Sequence, residues 1–128
     1  MSHDHRVQVR WRDLDALGHV NHTVVLTYLE EGRDAMLEKH GIRRDEYVVG
    51  RCSVSFRREI DAASKAVTVR CGVRELGRSS LTTSECILDA DGEVVAEAEF
   101  RLVLWDAEQR GSRPISDSER ASLEEVTG

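Results

Sequence analysis

The chain has 128 residues, 40% of them hydrophobic and 33% charged, a size and balance that suit one soluble domain with a single core. A net charge of −6 and only two Phe, two Tyr and two Trp speak against nucleic-acid binding, which needs a basic face with interleaved aromatics. Apolar runs of a few residues exclude a membrane-spanning helix. The polar start MSHDHRVQ lacks the apolar block of an export signal, so the cytoplasm is the expected address.

Residues 5–11, HRVQVRW, alternate with Val7, Val9 and Trp11 on one face and predict a half-buried strand. His3 and His5 ahead of it are expected to lie in a mobile end without a role. From Thr23 to His40 the period changes, and Val25, Leu26, Leu29, Gly32, Met36, Leu37 and His40 form the stripe of an amphipathic helix. Asn21 is its expected N-cap and Gly41 its left-handed stop. Gly32 lies inside the stripe, where only a close approach to a sheet justifies its helix cost.

Everything from there to Asp106 reads as strand. Residues 47–60 carry Val48, Cys52, Val54 and Phe56 at even spacing, and 66–76 carry Val67, Val69, Cys71 and Val73. Residues 79–88 and 93–105 follow, joined by the Asp-Gly turn of Asp89–Gly92. Pro114 then precedes a short capped helix in SDSERASLEEV. Cys52, Cys71 and Cys86 are odd in number and widely spaced, which fits reduced, buried small side chains rather than disulfides or a zinc knuckle. The expected architecture is α+β, a five-stranded antiparallel sheet wrapped around one long helix with a short C-terminal helix. It forms a single domain over 1–128, with its core at about 5–106 and a tail at 107–128. One helix leaves sheet edges open, so a homo-oligomer is expected.

Trp11 to His22, WRDLDALGHVNH, has no apolar period and ends at a helix start, where free N–H groups and the dipole favour negative charge. Gly18 lets a substrate approach the main chain. Asp15 reaches the same space as nucleophile or general base. A carboxylate beside backbone N–H donors fits attack on a carbonyl carbon, and thioesters suit it because thiolate leaves readily. Asp13 is expected to be structural, paired with Arg10, Arg12 or Arg33. His19 and Asn21 are expected to shape the loop. Asp15, His19 and His22 are conceivable metal ligands by residue type, but a divalent site normally also needs partnered ligands and a dry pocket.

The run DLDALGHVNHTVVLTYLEEGR resembles the signature of hotdog-fold thioesterases of the 4-hydroxybenzoyl-CoA thioesterase-like family: Asp-x-Asp-x-x-Gly-His-Val-Asn-Asn, then a helix with Tyr, Glu and Arg. The likeness extends over about residues 5–105. It implies a hotdog fold, homodimers or tetramers of dimers with active sites at the interface, an acyl-CoA substrate, and no metal or other cofactor. It also implies Asp15 as the catalytic carboxylate, with an oxyanion hole from backbone N–H groups near His22 and Thr23, in a loop shaped by Gly18, His19 and Asn21. His22 departs from the usual second Asn. Some members carry His there, so it is expected to orient the carbonyl or pass a proton to the leaving thiolate. By analogy, Arg57, Arg58, Arg78, Ser79 and Ser80 would meet the phosphates and nucleotide of CoA. Val25, Tyr28, Leu29, Val54 and Phe56 would line the acyl pocket, although each is also a natural core residue. The expected activity is hydrolysis of acyl-CoA to a free acid and CoA. Two rivals are hydrolysis of acyl groups on a carrier protein, disfavoured by the chain's acidity, and a non-catalytic acyl-CoA binding module. A hydratase signature is not evident.

Overall fold

A computed structural model describes residues 1–128. Five long strands, β1 (His3–Gln8), β2 (Tyr47–Phe56), β3 (Ala66–Leu76), β4 (Ser80–Leu88) and β5 (Val94–Asp106), form one antiparallel sheet in the order β1-β3-β4-β5-β2. A two-residue strand, β6 (Gly111–Ser112), adds to the end of β5. The curled sheet holds one long helix, α1 (His22–Lys39), and a short helix, α2 (Asp117–Leu123), follows near the chain end. This is the hotdog architecture.

Local chemistry explains the boundaries. The Asn21 side chain accepts from the Thr23 N–H and starts α1. Gly41, at φ 86°, follows its last turn. Asp89 Oδ1 accepts from the Asp91 and Glu93 amides at 2.9 and 3.0 Å, and Gly92 takes φ 80°, which closes the β4–β5 hairpin. Ser116 and Glu119 cap one another's backbone at the start of α2.

A continuous core of 23 residues lies between α1 and the concave sheet face. From the helix come Val25, Tyr28, Leu29, Met36 and Leu37, and from the strands Val67, Val69, Cys71, Leu81, Ile87, Leu102 and Leu104. Gly32 meets β3 so closely that a Cβ there would sit 2.3 Å from Val69 Cγ1. Leu123 and Val126 from the tail complete the core, and His40 Nδ1 pairs with Ser122 Oγ at 2.8 Å to tie α2 to the end of α1.

Several expectations need correction. The first strand stops at Gln8, and Trp11, expected on its buried face, lies in a helical turn with 86% of its surface exposed. His3 and His5 belong to β1, paired with Cys71 and Val69, rather than to a loose end. Cys52 is exposed, not a buried small residue. Leu26 is exposed, whereas Tyr28 and Arg33, left out of the apolar stripe, are buried. Residues 57–60 leave the second strand, which ends at Phe56. The apolar pattern read correctly for β3, β4 and β5, whose alternating residues turn one face to the core.

Candidate active site

The loop between β1 and α1 is folded on itself by its main chain. Leu14 and Val20 pair across its neck, Asp15 N–H donates to His19 C=O at 2.7 Å, and Gly18 N–H donates to Asp15 C=O at 3.0 Å. Gly18 adopts φ 80° at the tip, a conformation that β-carbons resist. Within this turn Asp15 Oδ1 accepts from the amides of Leu17, at 2.9 Å, and His19, at 3.3 Å. One carboxylate oxygen is thereby fixed by backbone, and Oδ2 has no hydrogen-bond partner within the chain.

Asp13, two residues earlier, is tied to the first strand's end and to α1 through one oxygen. Its Oδ2 accepts from the Arg10 amide at 2.9 Å and from the Tyr28 hydroxyl, with the Arg10 guanidinium Nε at 3.7 Å. Of the three arginines considered for it, Arg10 is the partner. Burial, then the Asp13 carboxylate, push the Tyr28 phenol above its usual range, so Tyr28 remains a neutral donor. Asn21 N–H donates to Asp13 C=O at 2.9 Å, and Asn21 Oδ1 accepts from the Thr23 amide at 2.9 Å and hydroxyl at 2.7 Å. Because the cap occupies the Thr23 N–H, the amide left without an acceptor at the start of α1 is that of His22.

Asp15, His19 and His22 all face one cavity of about 340 Å³, whose apolar wall is Val20, Val25, Phe56, Ile60, Val95 and Ala96. The His22 ring stands edge-on to Phe56, with centroids 6.3 Å apart and an 87° interplanar angle. Val25 and Phe56 therefore do line the cavity. Tyr28 and Leu29 are enclosed in the core, and Val54 packs at its edge. A larger depression of about 580 Å³ lies among Ser53, Ser84, Glu97 and the chain ends and contains none of these groups. No set of three or more His, Cys, Asp or Glu side chains is grouped as metal ligands.

The basic candidates separate. Arg57 and Arg58 line the same cavity as Asp15. Arg57 is paired with Glu97 Oε2 at 2.9 and 2.6 Å, and Arg58 lies 3.7 Å from Asp89. Ser80 pairs with Val103, at the opposite end of β5 from Val95 and Ala96, so Arg78, Ser79 and Ser80 lie roughly 25 Å along the strands from the cavity. Within one chain the two groups do not meet.

The apolar residues Val20, Ile60, Val95 and Ala96 and one charged residue of the cavity escaped the sequence reading. Glu59 Oε2 lies 3.0 Å from His19 Nε2. Its partner is forty positions earlier in the chain, and a glutamate after two arginines carries no local signal of that contact.

A carboxylate held by backbone amides and a helix start with a free N–H thus meet at one cavity with an apolar wall. A family model, the thioesterase-like superfamily, matches residues 9–126. The long-chain acyl-CoA thioesterase FadM of Escherichia coli (strain K12) is 28% identical over 131 residues, covering 94% of this chain and 96% of that protein. A thioesterase from Thermus thermophilus, solved in complex with coenzyme A and Zn, is 32% identical with a TM-score of 0.85, over 97% of this chain and 92% of that one. A predicted thioesterase from Bacillus stearothermophilus superposes with a TM-score of 0.90 at 25% identity, over 100% of this chain and 98% of that one. The chain belongs to the thioesterase-like superfamily and is a hotdog-fold thioester hydrolase.

Proposed function

We propose that the chain is an acyl-CoA thioesterase in which Asp15 is the catalytic carboxylate. The observation that carries this reading is the state of Asp15: Oδ1 held by the Leu17 and His19 amides, Oδ2 unpartnered, at a cavity with an apolar wall. Coenzyme A bound to the Thermus thermophilus relative and the long-chain acyl-CoA thioesterase activity in the name of FadM support the substrate class.

In this reading the acyl group lies against Val25, Phe56 and Ala96 with its thioester carbonyl toward the His22 amide. Asp15 Oδ2 takes a proton from water as the water oxygen attacks the carbonyl carbon, or attacks that carbon itself to form an anhydride that water then opens. The carbonyl oxygen becomes an oxyanion beside the His22 N–H and the positive end of α1. The C–S bond breaks, the CoA thiolate receives a proton from the His22 imidazole, and Asp15 loses its proton to solvent as His22 regains one. The net change is acyl-CoA plus water to carboxylic acid plus CoA.

Arg57 and Arg58 are the groups of this chain that meet the CoA phosphates, in exchange for Glu97 and Asp89. Arg78, Ser79 and Ser80 join the site only from a second copy. Self-association through β2 is consistent with this, since β2 is an edge strand with Val48, Val49 and Phe56 exposed. Acyl-carrier-protein substrates are the second reading, and the net charge of −6 opposes docking of an acidic carrier.

The test is a panel of acyl-CoA and matched carrier-linked thioesters read by thiol release, with wild type and Asp15→Asn. The expected result is turnover of acyl-CoA by wild type and loss of at least about a hundredfold in kcat with Asp15→Asn, with unchanged unfolding. A folded Asp15→Asn enzyme with wild-type turnover would refute the role of Asp15. Faster turnover of the carrier-linked series would reverse the substrate preference.

A further inference from the structure

Asp15 is held by His19 from two directions. The His19 amide donates to Asp15 Oδ1 at 3.3 Å, and the His19 carbonyl accepts from the Asp15 amide at 2.7 Å. Whatever fixes His19 therefore fixes the carboxylate. His19 is itself docked on the segment that follows β2. Its backbone bridges to Asp61, Val20 N–H donates to Ile60 C=O at 2.7 Å, and its ring meets Glu59 at 3.0 Å.

The main-chain contacts on that segment are indifferent to side-chain identity. The Glu59–His19 contact is the only polar side-chain contact between the two, and both residues line the cavity with Asp15. It also bears on the imidazole, because a carboxylate facing Nε2 favours a proton on that nitrogen. We infer that Glu59 is a positioning residue for catalysis, clamping His19 through Nε2 so that the His19 backbone holds Asp15 in its reactive orientation. The inference rests on the role given above to Asp15.

A clamp of this kind acts on the geometry of attack more than on binding of the CoA moiety. Removing it lowers kcat with little change in KM. Gln at position 59 still offers a side-chain oxygen to Nε2–H, so it restores most of what Ala loses. A role based on charge at the cavity mouth would not be rescued in this way.

The experiment compares wild type, Glu59→Ala, Glu59→Gln and Asp15→Asn by steady-state kinetics on an acyl-CoA substrate, and by ¹⁵N NMR of the histidine rings. Expected are a roughly tenfold fall in kcat for Glu59→Ala with KM within about twofold of wild type, and recovery to within about threefold for Glu59→Gln. The His19 ring is expected to show the Nε2–H tautomer in wild type and Glu59→Gln, and a mixture of tautomers in Glu59→Ala. Wild-type kcat in Glu59→Ala beside an inactive Asp15→Asn would overturn the role of Glu59 and leave the thioesterase reading intact. Loss of activity in Glu59→Gln equal to that in Glu59→Ala would overturn it as well, as would an unaltered His19 tautomer in Glu59→Ala. The NMR arm needs no turnover, so it tests the clamp separately from the substrate assignment.

Discussion

Asp13 and Asp15 stand two positions apart and each accepts through one carboxylate oxygen, but in different surroundings. Asp13 Oδ2 takes the Arg10 amide and the Tyr28 hydroxyl, so it anchors the neck of the loop to the first turns of α1. Asp15 takes only amides of its own loop, on Oδ1, and faces the cavity. Tyr28→Phe removes one donor from Asp13 and leaves the ring packing in place. We expect it to lower unfolding free energy by about 1 kcal/mol, read as a reduced urea midpoint with an unchanged m-value. The pairing of Asp13 with an arginine was legible in the motif, and so was the cap: an Asn N-cap engages the amide two or three positions on, here that of Thr23.

At the scale of elements, α1 fits the sheet through a missing side chain. Gly32 lets the helix axis approach β3, with Val69 directly beneath it. Gly32→Ala gains helix propensity but forces backbone or Val69 to move, an overpacking cost of about 1–3 kcal/mol. The expected outcome is a lower thermal midpoint, and Val69→Ala in the same chain should return part of the loss. Position 32 was legible in sequence because a glycine within an apolar helical stripe asks for such a reason. β2 was misleading for the converse reason. Val48, Cys52, Val54 and Phe56 are evenly spaced and read as core, but a register shift between Val49 and Arg51 puts Val49, not Val48, on the face of Val54 and Phe56, opposite Leu102, Ala98 and Ala96 on β5. Yet α1 packs chiefly against β1, β3 and β4, and Val49 and Phe56 remain about half exposed. Periodicity reports which face a residue takes but not whether this chain covers it.

Across the whole molecule, helix and sheet are joined by a charge pair inside the core. Arg33 from α1 donates to Glu85 on β4 through Nε at 2.9 Å and Nη2 at 3.2 Å. Its guanidinium lies 3.7 Å from the centre of the Phe100 ring on β5, and the Thr83 hydroxyl donates to Glu85 at 2.6 Å. Burial opposes the charge on Arg33, but Glu85 outweighs it and holds the guanidinium protonated. Breaking such a pair from one side leaves a buried charge uncompensated. Glu85→Gln is therefore expected to cost about 3–5 kcal/mol in chemical denaturation, whereas Arg33→Met with Glu85→Leu should cost far less. Neither residue announced this in the sequence: Arg33 stood there only as one of three possible partners for Asp13, and Glu85, some fifty positions further on, carries no local sign of the contact.

The strand order β1-β3-β4-β5-β2 also sets a sequence of events during folding. β3, β4 and β5 follow one another and pair as neighbours, but β1 must pair with β3, about sixty residues along the chain, and β2 with β5, about fifty, so both closures carry a loop-closure cost that falls late. During synthesis β2 emerges well before its partner and waits unpaired. A nascent chain stalled before residue 94 would hold the Asp15 loop without the Ile60 segment fixed behind it, so the reactive geometry is among the last features of the molecule to form.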